Sequence, residues 1–322
     1  MDGDKVARRV EAAKKFRIGV DENGLGARLG PLVVTAVLAS VTEQGARVLA
    51  RRPPKRLSQD LGDSKALMSH KDFALGEAWA RALTSETSAP RALFEALSLE
   101  KDEELRSHCP SHVEAQCWSE VRDAFIAEPG DVARIKGHLA WWAERGVVVH
   151  AVRSSVVCTK RLNDAKNAGG NRFISDLHAM ERLVLDLHGV AGTEITAICG
   201  KVGGMGDYSK FFGPLSMRLH AVLEKGKALS AYHFPGLGEL RFVRDADAKD
   251  SLVMLASIVG KYVRELLMAR VSGYYRHHDE TLEAVSGYHD PVTTRFVKAT
   301  SLVRKQRRIP DSCFERARDA LC

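Results

Sequence analysis

The sequence predicts an α/β fold in which a mixed β-sheet is flanked by helices. Two observations carry this. Short β-branched runs begin as a hairpin (residues 17–20 and 32–41) and then recur at 146–157, 194–200 and 240–243. Between and after them lie longer stretches with the helical 3.6-residue apolar period, at 71–83, 90–105, 112–126, 132–145, 170–188 and 251–271. A hairpin followed by alternating strands and helices gives a sheet with both parallel and antiparallel pairs, covered by helices on its faces.

Taken in order, residues 1–16 are polar and amphipathic, contain acids and lack an apolar core, so they read as a short helix before the first strand and not as a secretory signal. The run from Ile18 to Leu38 is the most informative stretch. An apolar strand ends on two adjacent carboxylates, Asp21 and Glu22. A turn punctuated by Gly24, Gly26 and Gly30 follows, and then a second apolar strand. Asn23-Gly24 by itself is a plain hairpin signal. Acid at a strand exit, beside glycines that let another backbone approach, also suits a divalent cation and a phosphodiester. Residues 84–144 are rich in helical pattern and hold Trp118, Trp141 and Trp142, three of the four tryptophans. They read as an insertion packed on a core spanning 17–272, with 273–322 as a C-terminal helical extension. Near 245–271, Asp245 and Asp247 follow a strand and precede a long amphipathic helix. Asp250 directly precedes the periodic run and is placed to cap it, which leaves Asp247 for another role.

Composition narrows the function classes. The chain of 322 residues can bury a full core, and 45% hydrophobic with 28% charged residues is a globular balance. No apolar run approaches the ~20 residues that span a bilayer. The six cysteines (Cys109, Cys117, Cys158, Cys199, Cys313, Cys322) form no CxxC pair, which disfavours a zinc knuckle or a disulfide framework and fits a reducing cytoplasm. A net charge of +7 favours a polyanionic partner. The glycine cluster GKVGGMG at 200–206 is not a phosphate loop, because no lysine-serine or lysine-threonine pair follows it.

Several segments together resemble the type-2 ribonuclease H family of the ribonuclease HII kind, endonucleases that cut RNA in RNA–DNA hybrids and at single ribonucleotides in DNA. DENGLGARLGPLVVTAV is similar to its acidic, glycine-rich opening and LGDSKAL to the DSK element after it. CTKRLNDAKNAG, around Asn163, is similar to an asparagine-containing helix start. ADAKDSLVMLASIVGKYVRE resembles the last acidic strand end with its helix, and SGYHDPVTT the glycine-tyrosine segment. The order is the family's, over residues 17–295.

The resemblance implies a ribonuclease H-like sheet. It places Asp21, Glu22 and Asp247 at three of four metal-binding carboxylates, holding Mg²⁺ or Mn²⁺. Two such cations ~4 Å apart would activate a water and stabilise the departing 3′ oxygen. It makes Lys65 a phosphate contact and Tyr288 the tyrosine that packs on the sugar. It brings the backbone of the Gly24-Leu25-Gly26 loop to the ribose 2′-hydroxyl, the group that marks RNA. The basic run Arg304-Lys305-Gln306-Arg307-Arg308 has no counterpart and reads as a solvated face.

Two positions depart from the pattern. Leu25 stands where the family has an arginine between paired glycines; Arg28 of the same loop is a candidate to supply that charge, though not at the spacing of a direct swap. Cys199 stands where the strand EITAICGKVGG should bring the fourth carboxylate. A thiol near carboxylates stays neutral and suits Mg²⁺ poorly, so one cation site is weakened and Mn²⁺ is favoured. Strand alternation puts Lys201 on the face of Cys199, where its ammonium would fill part of the vacated cation's space or neutralise Glu22. The expected activity is therefore a metal-dependent, monomeric hybrid-cleaving ribonuclease. The alternative is a nucleic-acid-binding protein that kept the fold and lost efficient turnover.

Overall fold

A computed structural model describes residues 14–84, 88–120, 123–203 and 205–317. Seven strands form one sheet: β1 (Lys15–Asn23), β2 (Leu32–Val41), β3 (Val147–Val157), β4 (Ile195–Gly200), β5 (Ala221–Lys225), β6 (Leu229–Phe234) and β7 (Gly238–Val243). Their order is β3-β2-β1-β4-β7-β6-β5. β1, β2 and β3 pair antiparallel, β4 runs parallel to both β1 and β7, and β5-β6-β7 is an antiparallel meander. The helices are α1 (Glu43–Leu49), α2 (Ser64–Leu67), α3 (Ala74–Leu83), α4 (Pro90–Leu97), α5 (Asp102–Arg106), α6 (Pro129–Ala143), α7 (Thr159–Asn167), α8 (Arg172–Ala191), α9 (Ser251–His278), α10 (Pro291–Ala299), α11 (Ser301–Gln306) and α12 (Asp311–Phe314). This is the mixed, helix-flanked sheet that the sequence predicts.

Strand alternation builds two cores on opposite faces of the sheet. Val33, Val37 and Ala39 of β2 point to one face, with Leu255 and Val259 of α9, Trp79 of α3 and Trp142 of α6. Val34, Ala36 and Leu38 point to the other, with Ile18 and Val20 of β1 and Leu177, Leu183 and Leu187 of α8. A strand buried on both faces reads as a continuous apolar run, as β2 does. The start of α9 presses on β1 so closely that a Cβ on Gly19 would lie 2.5 Å from the backbone carbon of Leu252. Asp250 caps α9 by accepting from the Leu252 and Val253 amides, and it pairs with Arg17 at 2.5 Å. A third cluster joins Leu29 and the far end of α9 to Phe296 and Phe314.

Several elements differ from expectation. The β5–β6 hairpin has no signal in the sequence reading. The helix expected over 112–126 is reduced, among its described residues, to a 3₁₀ turn, Gln116–Trp118. There Gln116 donates to the Cys313 carbonyl and accepts from the Tyr275 hydroxyl, tertiary bonds that replace helical ones. The stretch expected at 90–105 splits into α4 and α5, and α9 continues past residue 272. The amphipathic helix expected over 1–16 falls mostly outside the described residues, and Lys15 and Phe16 already belong to β1. Cys109, Cys117, Cys158 and Cys313, distant in sequence, line one cavity as free thiols.

Candidate active site

Parallel strands β1 and β4 end side by side, with Val20 opposite Cys199. The next residues of β1 are Asp21 and Glu22. Both carboxylates lean over Gly200, where a Cβ would come 3.1 Å from Asp21 Oδ1 and 3.4 Å from Glu22 Oε2. β7 lies on the other side of β4, with Phe242 opposite Cys199. It hands the chain to Asp245, which takes a left-handed φ of 56°, and then to a 3₁₀ turn, Ala246–Ala248. Aspartate tolerates that backbone region better than most side chains. The turn carries Asp247 to the same corner, and its negative charge raises the pKa of both Asp21 and Glu22.

Burial dominates the electrostatics. It pushes Asp21 well above the usual carboxylate range, with Glu22 and Asp247 adding to the shift and a hydrogen bond from Ser257 of α9 opposing it. Ser257 Oγ lies 3.0 Å from Ser64 Oγ, which ties the DSK segment to the corner. Glu22 is pushed up to about 8, by burial first and then by the charge of Asp176; Lys65 draws it back down. Lys65 is exposed on α2, whose start Asp63 caps. Cys199 is completely buried, and burial, followed by Asp176, Glu181 and Asp21, pushes its thiol up. It therefore stays a neutral thiol among apolar neighbours of the α8-side core.

The glycine loop is held by three arginines. Gly24, at φ +87°, gives Arg264 room: a Cβ there would lie 2.4 Å from Arg264 Nε. Arg264 donates to the Ser286 carbonyl at 3.0 Å, and its guanidinium covers the Tyr288 ring at 4.5 Å. Tyr288 remains 37% exposed. Arg316 donates to the carbonyls of Gly24 (2.6 Å), Gly30 (2.9 Å) and Leu25 (3.3 Å), and Arg172 donates to that of Leu25 (3.1 Å). Leu25 itself packs against the α8-side core. Gly26 is exposed, and a Cβ there would meet nothing within 4 Å. Asn163 is buried and pins the C-terminal segment, donating to the Ser312 and Glu315 carbonyls and accepting from the Ala317 amide.

Two expectations are corrected. Lys201 does not face Glu22: its ammonium donates to the Gly226 carbonyl and Ser230 Oγ, both at 2.8 Å, because the β5–β6 hairpin offers it acceptors. Arg28 does not stand in for the loop arginine, since it is engaged with Glu315 at 2.7 Å and Thr294 at 3.2 Å.

Asp176 is a buried acid near this corner that sequence reasoning did not single out. Its signal was present: in α8 it shares the stripe of Phe173, Met180, Leu183 and Leu187, and an acid on an apolar face needs a reason. It is 0% exposed, and neither carboxylate oxygen has a hydrogen-bond partner. Burial, then Asp21, holds its pKa well above the usual range.

Among the described residues, no three His, Cys, Asp or Glu side chains already form a shell that could hold a metal ion. The donor chemistry nevertheless fits a hard divalent cation. Asp21, Glu22, Asp247 and Asp176 offer only carboxylate oxygens, of the kind Mg²⁺ and Mn²⁺ prefer, and the two oxygens of Asp176 are orphaned.

The fold and its corner define an α/β class with acids at the carboxyl ends of parallel strands. Solved structures of similar fold include the PCNA:RNase HII complex from Archaeoglobus fulgidus, at 17% identity over 95% of this chain and 96% of that one, with a TM-score of 0.41. Bst-RNase HIII in complex with Mn²⁺ is similar at 13% identity over 91% of this chain and 72% of that one, with a TM-score of 0.39. Ribonuclease H2 from Pyrococcus horikoshii OT3 is similar at 14% identity over 93% and 92%, with a TM-score of 0.37. Likenesses this distant say nothing of activity. No family model and no curated protein matches the chain.

Proposed function

We propose that this chain is a metal-dependent endoribonuclease that hydrolyses the RNA strand of RNA–DNA hybrids, or ribonucleotides embedded in DNA. One observation carries the reading: the carboxylates of Asp21 and Glu22 lean together over Gly200 at the end of β4, next to the turn after β7 that bears Asp247. Asp21, Glu22 and Asp247 would hold Mg²⁺ or Mn²⁺, with the Cys199 position contributing no carboxylate. The bound cation would supply a water of lowered pKa and charge stabilisation at the phosphodiester. Lys65 binds a backbone phosphate. Gly26, open to solvent, lets the ribose edge approach the loop backbone, while Gly24 and Leu25 are fixed from behind by their bonded carbonyls. Tyr288, backed by Arg264, presents the rest of its ring to a sugar.

A second reading is a binding protein of the same fold with impaired turnover. The buried Cys199 favours it. Cleavage of a uniform hybrid and of a single-ribonucleotide duplex, in Mg²⁺ and Mn²⁺ in parallel, separates the two. The enzyme reading expects metal-dependent products that EDTA abolishes, with Mn²⁺ the better cation. Tight binding without cleavage in either metal would favour the second reading, and no binding would remove both.

A further inference from the structure

Among the described residues, the other buried carboxylates have at least one partner, Glu265 through Oε1 alone, from Arg264. Glu77 accepts from the Ile126 and Ala127 amides, Glu100 from Ser155 Oγ and the Val156 amide, and Glu181 from the Gly213 and Leu215 amides. Asp60 accepts from Arg134 and lies 2.8 Å from the His138 ring, and Asp250 has its helix amides and Arg17. Asp176 is as deeply buried as any of these, and neither of its oxygens has a partner. An isolated buried carboxylate is costly, and a proton or a cation must relieve it.

Its position says which. The first turn of α8 touches the corner from below: Arg172 reaches the Leu25 carbonyl at 3.1 Å, and a Cβ on Gly203, just past β4, would lie 2.9 Å from the Phe173 ring. Asp176 is one helical turn further on, next in sequence to Leu177, which shares a core with Val20 and Cys199 where β1 and β4 pair. We propose that Asp176 supplies from helix α8 the cation-binding carboxylate that strand β4, with Cys199, does not. In this arrangement the oxygen ligand comes from the helix that covers the strand. This rests on the metal-dependent reading above and adds a ligand to it.

The test is Mn²⁺ binding to the full-length protein by titration calorimetry, without substrate. Asp176→Asn keeps the shape and removes the charge, and should weaken Mn²⁺ at the affected site at least about tenfold. In the Asp176→Asn background, Cys199→Asp returns a carboxylate from the strand side and should restore affinity to within about threefold of wild type. Wild-type affinity and stoichiometry in a folded Asp176→Asn variant would overturn the assignment while leaving the metal-dependent reading intact. If wild type binds no Mn²⁺, both fall. Should Asp176→Asn fail to fold, Cys199→Asp alone decides. A helix ligand already in place predicts less than about a threefold gain, whereas a gain of about tenfold or more would mean that the site still lacks its carboxylate.

Discussion

A carboxyl that keeps its proton in the folded chain and releases it on unfolding makes stability fall as pH rises. Glu22 is such a group, with its folded pKa at about 8 against 4.5 for the free side chain. Its contribution is full below pH about 4.5 and is lost as pH climbs to about 8. Asp21 and Asp176 are raised as well and act with the same sign. Asp207 acts oppositely, because its pKa is lowered, first by Lys225; its contribution is lost only in acid, below this window. Glu181, pushed up to about 7 by burial, adds a slope that no cation at the corner would remove. In EDTA the melting temperature should therefore fall between pH 5 and 8, and Mn²⁺ should flatten part of that fall by taking the proton's place. Identical melting curves with and without Mn²⁺ across this range would contradict a cation at these carboxylates. The places of Asp21, Glu22 and Asp247 at strand exits were readable because acids flanking strand ends leave a local pattern. Asp176 was not read, since the strands whose ends it lies near are distant in sequence, and only its place on an apolar helical stripe hinted at it.

At the scale of elements, the glycine loop is clamped from the far end of the chain. Arg316 holds three loop carbonyls, its own amide donates to the Arg28 carbonyl, and Asn163 of α7 fixes the segment before it. Arg316→Ala leaves buried acceptors without a donor and should cost about 1–3 kcal/mol of unfolding free energy, measurable by denaturant titration. If the loop meets the ribose as proposed, activity on the single-ribonucleotide duplex should drop more than activity on a nonspecific hybrid. A neutral effect on both stability and specificity would show that the clamp is incidental. None of this was visible locally, as the contacts span nearly 300 residues. The β5–β6 hairpin escaped for a different reason. Every residue of β5 is exposed, so this edge strand has no buried face to create an alternating pattern. α8 and α9, each with a long apolar stripe, were legible almost to their ends.

For the molecule as a whole, a net charge of +7 and an exposed Lys65 beside the acidic corner suit a polyanionic duplex. We propose residues 84–144 as an insertion on the core and residues 273–322 as its extension. Hybrid affinity should fall steeply with salt, and Lys65→Ala should weaken binding to all sequences alike and make the logarithmic salt slope shallower by about one. A slope unchanged in that variant would take Lys65 out of the interface. Among the described residues no helix is long and apolar enough to cross a membrane. The mixed, helix-flanked sheet and its opening hairpin were the part most readily legible, because the apolar runs of β1 and β2 flank a glycine turn. The closing of Cys109, Cys117, Cys158 and Cys313 around one cavity was not, since sequence spacing carries no distance between segments. The most direct measurement is single-turnover cleavage of a single-ribonucleotide duplex in Mn²⁺ by wild type and Asp21→Asn, with both shown folded by circular dichroism. Wild type should cleave beside the ribonucleotide, and Asp21→Asn should be slower by on the order of 10²–10³-fold, the loss seen when one electrostatic stabiliser of a transition state is removed. Equal rates in the two proteins would contradict a carboxylate-held cation at the corner of β1 and β4.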